Sequence, residues 1–309
     1  MSKPIDILGL GCVAVDTFLF IDSFPTPDSK VRIQQQIRDI GGQTGTALIA
    51  ASRLGANCAY VGVLGEGDEV CDFVRTRLHK DSVSFTHAKT SADAQPIRTT
   101  VLVDTSKQTR TILYDLNGAS PTPEDWPSED VIRSSKLLFV DHFGAEAMLR
   151  AARIARSANI PIVADFEAGD SDTFRELFAM TDHLILSRTF AELQSGCHSP
   201  EQAVRALWNE HRQVVVVTCG EDGCWFVDKN DPQTPQHMLA FSVNAVDTTG
   251  CGDVFHGAYA FALLQGWGVV ERVRFASAAA ALQTTRPGGA SAAPRFNEIQ
   301  ELLSTSSDC

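Results

Sequence analysis

A mostly parallel β-sheet with helices on both faces is the fold predicted by this 309-residue sequence. Two observations carry the prediction. Short apolar runs alternate with stretches of helical period along most of the chain. Some runs are continuously apolar, as in Val214-Val215-Val216-Val217, the pattern of a strand buried on both faces. A third observation bears on function: a glycine-rich turn, Thr249-Gly250-Cys251-Gly252-Asp253, opens an apolar helix. Ligands of such sheets bind beyond the carboxyl ends of the strands.

The elements follow in order. Strands are predicted at residues 5–13, 59–64, 137–140, 162–164, 183–186 and 214–218, each a short apolar run. Helices are predicted at 46–54, 69–80, 145–158, 171–180, 199–211, 252–265 and 269–284. Gly41-Gly42 precedes the first helix, and Gly55 closes it. Two segments break the alternation. Residues 17–40 and 97–114 are rich in β-branched residues and alternate apolar with polar, as in Thr99-Thr100-Val101-Leu102-Val103. They read as antiparallel strands of a small separate sheet, inserted next to Asp16 and the Gly41 turn and able to cover a site there. The whole of 1–309 is expected to form one α/β domain carrying this insert, with a frayed polar tail at 304–309.

Composition excludes several classes. The net charge of −12 argues against nucleic acid, whose phosphates need clustered Lys and Arg, and against an anionic membrane surface. No apolar run approaches membrane-spanning length. The N-terminus runs into a strand pattern instead of a signal peptide, so a cytoplasmic location is expected. Eight scattered cysteines with no C-x-x-C pair read as reduced thiols. Cys197-His198 has no companion ligands and poor metal spacing.

The turn at 247–253 carries the chemistry. The first amides of a helix lack internal partners and sit at the positive end of its dipole, which suits an anion such as phosphate. Gly250 and Gly252 allow close backbone approach. Asp253 shares that helix end, where a carboxylate can take the proton of a hydroxyl attacking phosphorus. Its alternative role is a plain N-terminal helix acid.

Asp247-Thr248-Thr249-Gly250-Cys251-Gly252-Asp253 closely resembles the C-terminal signature of the ribokinase-like (PfkB) family of carbohydrate kinases, with Cys251 where the family usually has Ala. Gly41-Gly42, Arg53-Leu54-Gly55-Ala56 and Val61-Gly62-Val63-Leu64-Gly65-Glu66-Gly67-Asp68 resemble its N-terminal signature. The resemblance runs nearly end to end. It implies a three-layer α/β/α kinase with a β-lid at 17–40 and 97–114, which in many members pairs two chains into a homodimer. It also implies ATP, Mg²⁺ and transfer of the γ-phosphoryl group to a small sugar, a ketose or a pentose. Asp253 would be the base, and the amides of Gly250, Cys251, Gly252 and Asp253 the anion hole.

Asp16, read as lying beyond a strand end, suits bidentate binding of sugar hydroxyls. Gly42, Gln43 and Thr46 occupy positions where relatives contact the sugar. Pro25-Thr26-Pro27-Asp28-Ser29-Lys30 resembles the ketohexokinase-like and sulfofructose-kinase-like branches, which places Asp28 with the acceptor. Thr218, Gly220 and Gly223 resemble the family's segment near the ATP phosphates, and the glycine-rich turn at Gly288 reads as nucleotide-side. Asp247 and the Thr249 carbonyl resemble ligands of a monovalent cation, K⁺ being the candidate. Ala292 offers no hydroxyl where ribokinases often have Ser. The family's Asn-x-x-Glu pair is replaced by Ser187-Arg188-Thr189-Phe190. Arg188 either contacts a phosphate or is a solvated helix-start residue. The rival functions are a nucleoside or sugar-phosphate kinase of the same family, and a catalytically weak sensor of sugar or nucleotide.

Overall fold

The computed structural model describes residues 4–107 and 109–306. Residues 1–3 and the tail end 307–309, Cys309 included, lie outside the described residues. In chain order the strands are β1 (Ile5–Leu10), β2 (Ala14–Ile21), β3 (Gln35–Gly41), β4 (Cys58–Val61), β5 (Val63–Gly65), β6 (Lys89–Ser91), β7 (Ile97–Asp104), β8 (Thr109–Asp115), β9 (Ser135–Val140), β10 (Ile162–Asp165), β11 (His183–Ser187), β12 (Val214–Thr218), β13 (Cys224–Asp228) and β14 (Asp231–Met238). The helices are α1 (Gln43–Leu54), α2 (Glu69–Lys80), α3 (Glu129–Arg133), α4 (Ala145–Ser157), α5 (Asp172–Met180), α6 (Arg188–Ser195), α7 (Pro200–Ala206), α8 (Cys251–Leu264), α9 (Val269–Thr284) and α10 (Phe296–Thr305).

Eight strands form the main sheet in the order β14-β13-β12-β11-β10-β9-β1-β4. The pairs from β4 through β12 are parallel, and β13 and β14 continue antiparallel. Strand alternation divides the core in two. Ile7, Leu137, Phe139, Val163 and Val216 face α1, α2, α8, α9 and α10, while Leu8, Leu138, Ile162, Leu184 and Val217 face α3 to α7. Helices therefore cover both faces, as the continuous apolar runs require. The chain runs from β1 outward to β4 and returns to β9 on the other side of β1. That reversal leaves a crevice beyond the carboxyl ends of β1 and β9.

Several expectations need correction. The first strand stops at Leu10, because a side chain at Gly11 would meet the Asp141 carboxylate and Thr44 hydroxyl at 2.0 and 2.1 Å. Asp16 therefore lies inside β2, within the small sheet, and not just past a core strand. The run 59–64 is split at Gly62, where a Cβ would overlap the Tyr60 hydroxyl. Helix α1 begins three residues early, at Gln43; Gly45 and the β-branched Thr44 and Thr46 mask it. Helix α7 ends at Ala206, and α10 takes in Ser304 and Thr305 of the expected tail. The hairpin β13–β14 and helices α3, α6 and α10 carry no prediction. Pro232 and Pro235 hide β14, which tolerates them because it is an edge strand.

The small sheet has the order β3-β2-β7-β8. It is mixed: β2 pairs β7 in parallel, against an expectation of antiparallel strands throughout. The long excursion through the main domain between β2 and β7 lets both enter from the same end. Phe18, Phe20, Val101 and Val103 are buried with Ile37 against them, so this sheet has a small core of its own. Its edge strand β8 leaves Leu113 and Tyr114 56% and 71% exposed.

Candidate active site

The site forms where β1, β9 and β10 end and α1 and α8 begin. Gly42 starts α1 at φ 83°, and a Cβ there would meet Ala14 N and the Val13 Cα at 2.8 Å. Only glycine fits such a crossing of two backbones. Gly250 starts α8 at φ 74°, beside the Thr46 methyl group and the Gln283 amide. Gly252 is different. It lies within the helix at ordinary dihedrals, and a Cβ there would meet nothing within 4 Å. The space above Gly252 is thus open, the Cys251 amide reaches only the Thr248 carbonyl at 3.4 Å, and the buried Thr249 hydroxyl beside them has no partner. An anion fits that cradle.

Asp253 is on the first turn of α8, its carboxyl against that of Asp165 at the end of β10. Burial, and then the Asp165, Glu167 and Asp16 charges, push the Asp253 carboxyl above the ordinary range. Asp165 is raised by burial and by Glu167, so the two carboxyls titrate as one pair. Gln43 Nε2 donates to both the Asp165 carbonyl and its Oδ1 at 3.1 Å. His256 Nδ1 lies 3.2 Å from an Asp165 carboxylate oxygen and 2.8 Å from the Gly252 carbonyl, while Nε2 meets the Ile185 carbonyl at 3.0 Å. His256 is thus a packed residue. Sequence reasoning missed Asp165. Its only signal was an acid closing a short apolar run.

Asp16 is buried, and its Oδ1 accepts the Thr99 hydroxyl at 2.6 Å across β2 and β7. Burial, with Asp39 and Asp247 adding to it, pushes its pKa to about 6 against the pull of Thr99. Gly41 and Gly289 flank its second oxygen. Asp39 anchors this corner by pairing with Arg77 at 3.0 Å and accepting the Ser291 amide at 3.0 Å. Asp16, Gly42, Gln43, Thr46, Asp253 and the α8 cradle therefore come together. Asp28 does not join them by any recorded contact; it lies exposed on the loop between β2 and β3, at φ 59°.

The 218–223 turn sits at the end of β12. The Thr218 hydroxyl donates to the Leu186 carbonyl at 3.3 Å, and Gly220 turns the chain at φ 60°. Gly223 also has a structural reason to be glycine, since a Cβ would lie 2.0 Å from the Met238 carbonyl oxygen. Arg188 at the start of α6 pairs with Asp222 at 2.6 Å and spans this turn. Gly288 contacts a different set: its amide donates to Asp247 Oδ2 at 3.1 Å, and its neighbourhood includes the Asp39 carboxylate. Asp247 Oδ1 accepts the Thr249 amide at 2.9 Å. Of the lid's basic residues, Arg110 reaches the Thr248 hydroxyl, whereas Arg98 is held by Asp115.

A helix start open to an anion, a half-buried acid beside it and a lid acid, Asp16, lie together at the switch point of the sheet, where ligands of α/β folds bind. The profile of the pfkB family carbohydrate kinases matches residues 6–295. This chain belongs to that family and is a sugar kinase. It is 25% identical over 302 residues to the ribokinase of Staphylococcus aureus, covering 95% of this chain and 98% of the relative. It is 24% identical over 282 residues to mouse ketohexokinase, covering 87% and 92%. The structure of Arabidopsis thaliana ribokinase complexed with ribose and ATP shares its fold, with a TM-score of 0.82 at 20% identity over 98% of this chain and all of the other. Among the described residues no helix is long and apolar enough to cross a membrane.

Proposed function

We propose that this chain transfers the γ-phosphoryl group of ATP to a hydroxyl of a small neutral sugar, a ketose or a pentose. The observation that carries the reading is Asp253, a half-buried residue on the first turn of α8, beside that helix's first amides and against the Asp165 carboxyl. Asp253 takes the proton of the attacking hydroxyl, and its raised pKa makes it a stronger base. The amides of residues 250–253 stabilise charge on the transferred group without reorganisation. Asp16 and the Gly42–Thr46 turn hold the acceptor. The 218–223 turn with Arg188, and the Gly288 turn through Asp247, hold the nucleotide side. Among the described residues no cluster of three or more acidic, His or Cys side chains is placed to hold a metal, so Mg²⁺ would come with the nucleotide and would supply neutralisation of phosphate charge.

Arg98 and Arg38 line one cavity beside β2, and each is paired with an acid, Asp115 and Glu69; that pairing offsets their charge and favours a neutral acceptor over a sugar phosphate. The reading is tested by ATP consumption across neutral sugars, sugar phosphates and nucleosides, with Asp253→Asn beside the wild type. The variant is expected to fold, to bind ATP and to lose about 10²–10⁴-fold in turnover. Near-wild-type turnover would remove Asp253 from the role, and binding without turnover in the wild type would mean a sensor.

The exposed Ile112, Leu113 and Tyr114 on edge strand β8 support pairing of two lids into a homodimer. Light scattering at micromolar concentration should give twice the chain mass of 33.5 kDa. Monomer mass would sink that part of the reading.

A further inference from the structure

The family resemblance points to a monovalent cation at Asp247 and the Thr249 carbonyl. The side chain that fills this place does not fit one. Gln283, in the last turn of α9, is completely buried. Its Nε2 donates to the Thr249 carbonyl at 3.0 Å and to the Gly289 carbonyl at 2.9 Å, and lies 3.4 Å from the Gly288 carbonyl. Three backbone carbonyls thus converge on one point. Converging carbonyls can replace the hydration shell of a bare monovalent cation. Here the point is occupied by an amide nitrogen.

The orientation of that amide follows from its partners. With oxygen and nitrogen exchanged, an oxygen would face three carbonyl oxygens, a contact with no donor. The Asp247 carboxylate is committed as well, since its two oxygens accept the Thr249 and Gly288 amides. Residue 292, an alanine, has no hydroxyl to add to a cation's ligands.

We propose that the Gln283 side-chain amide takes the place of a structural monovalent cation, tying the Thr249 carbonyl to the 288–289 turn, and that the enzyme works without K⁺. Thr249 immediately precedes the cradle at Gly250, so this tie fixes the direction of the first α8 amides. A neutral amide suffices because hydrogen bonds from backbone donors already satisfy Asp247. The activity arm of the test rests on the phosphoryl-transfer reading, and the stability arm does not.

Melting temperature and turnover are to be measured in KCl, LiCl and choline chloride at equal ionic strength. The wild type should melt within about a degree in all three, and its turnover should differ by less than about twofold. Gln283→Ala leaves the carbonyls facing an empty space. It should melt several degrees lower in choline chloride and lose about tenfold or more in turnover, and KCl, unlike LiCl, should restore part of both. Gln283→Met, which keeps the volume and lacks the donors, should behave like the Ala variant and separates the lost tie from a cavity. A wild type that is stabilised by KCl, or activated about fivefold or more by it, would overturn the proposal. So would a Met variant matching the wild type in choline chloride. If no sugar is phosphorylated, the melting series alone decides it, so the two readings fail separately.

Discussion

Asp16 is expected to cost the unliganded protein stability in return for binding the acceptor, and Asp16→Asn exposes the trade. The carboxyl is 6% exposed, and burial moves its pKa from 3.8 to about 6. Between those pH values the folded chain holds more protons than the unfolded chain. Stability therefore falls as pH rises through this window, and the cost is fully present above about pH 6. At roughly 1.36 kcal/mol per pH unit, the difference amounts to about 3 kcal/mol at pH 8. Asparagine removes the charge and keeps an oxygen for the Thr99 hydroxyl. Part of the gain is lost in finding a partner for the new NH₂, which leaves about 1–3 kcal/mol. For a chain of this length that is about 2–6 °C in melting temperature. The advantage should shrink towards zero near pH 4, where wild-type Asp16 is protonated in the folded state. Acceptor kcat/KM should meanwhile fall about 10²-fold or more, because each lost hydrogen bond to a charged group is worth roughly 1.5–3 kcal/mol. Acceptor binding by the wild type should weaken below about pH 6. Thermal melts from pH 4 to 8 and acceptor kinetics check this. An Asn variant that melts below the wild type at pH 8, or whose advantage is constant with pH, would refute the reasoning.

Two other substitutions separate stability from chemistry. Gly252→Ala adds a methyl group that meets nothing within 4 Å in the unliganded chain, so it should raise stability by about 0.4–1 kcal/mol. The methyl group projects into the cradle, so turnover should fall; calorimetry and kinetics together test the pair, and an active, unchanged enzyme would mean that phosphate sits elsewhere. Asp165→Asn removes one member of the carboxyl pair and supplies a donor to the other, so the acid limb of the kcat/KM profile should move to lower pH. A limb that stays in place or moves upward would mean that Asp253 titrates independently of Asp165.

Local pattern carried much of the fold and part of the site. Helices α2 and α9 and strand β12 fall on their predicted limits, because an amphipathic period or a continuous valine run is a property of neighbouring residues. The α8 turn was legible for the same reason: Gly250, Gly252 and Asp253 are close in sequence, and helix-end chemistry needs no distant partner. Tertiary structure decided what depends on residues far apart in sequence. Asp165 and Asp253 are 88 positions apart, and their shared titration exists only because β10 ends where α8 begins. Asp16 acquires its raised pKa from burial in the folded chain, with Asp39 opposite it on β3 and Asp247 nearby adding to the rise against the pull of Thr99. Gln283 shows the division most clearly. In sequence it is one polar residue in an alanine-rich helix; in the fold its amide meets carbonyls of two separate loops. Periodicity records which face of an element is apolar. Only the packing of elements brings a donor and three acceptors to one point, and the free energy of that meeting comes from desolvation and geometry that no local pattern encodes.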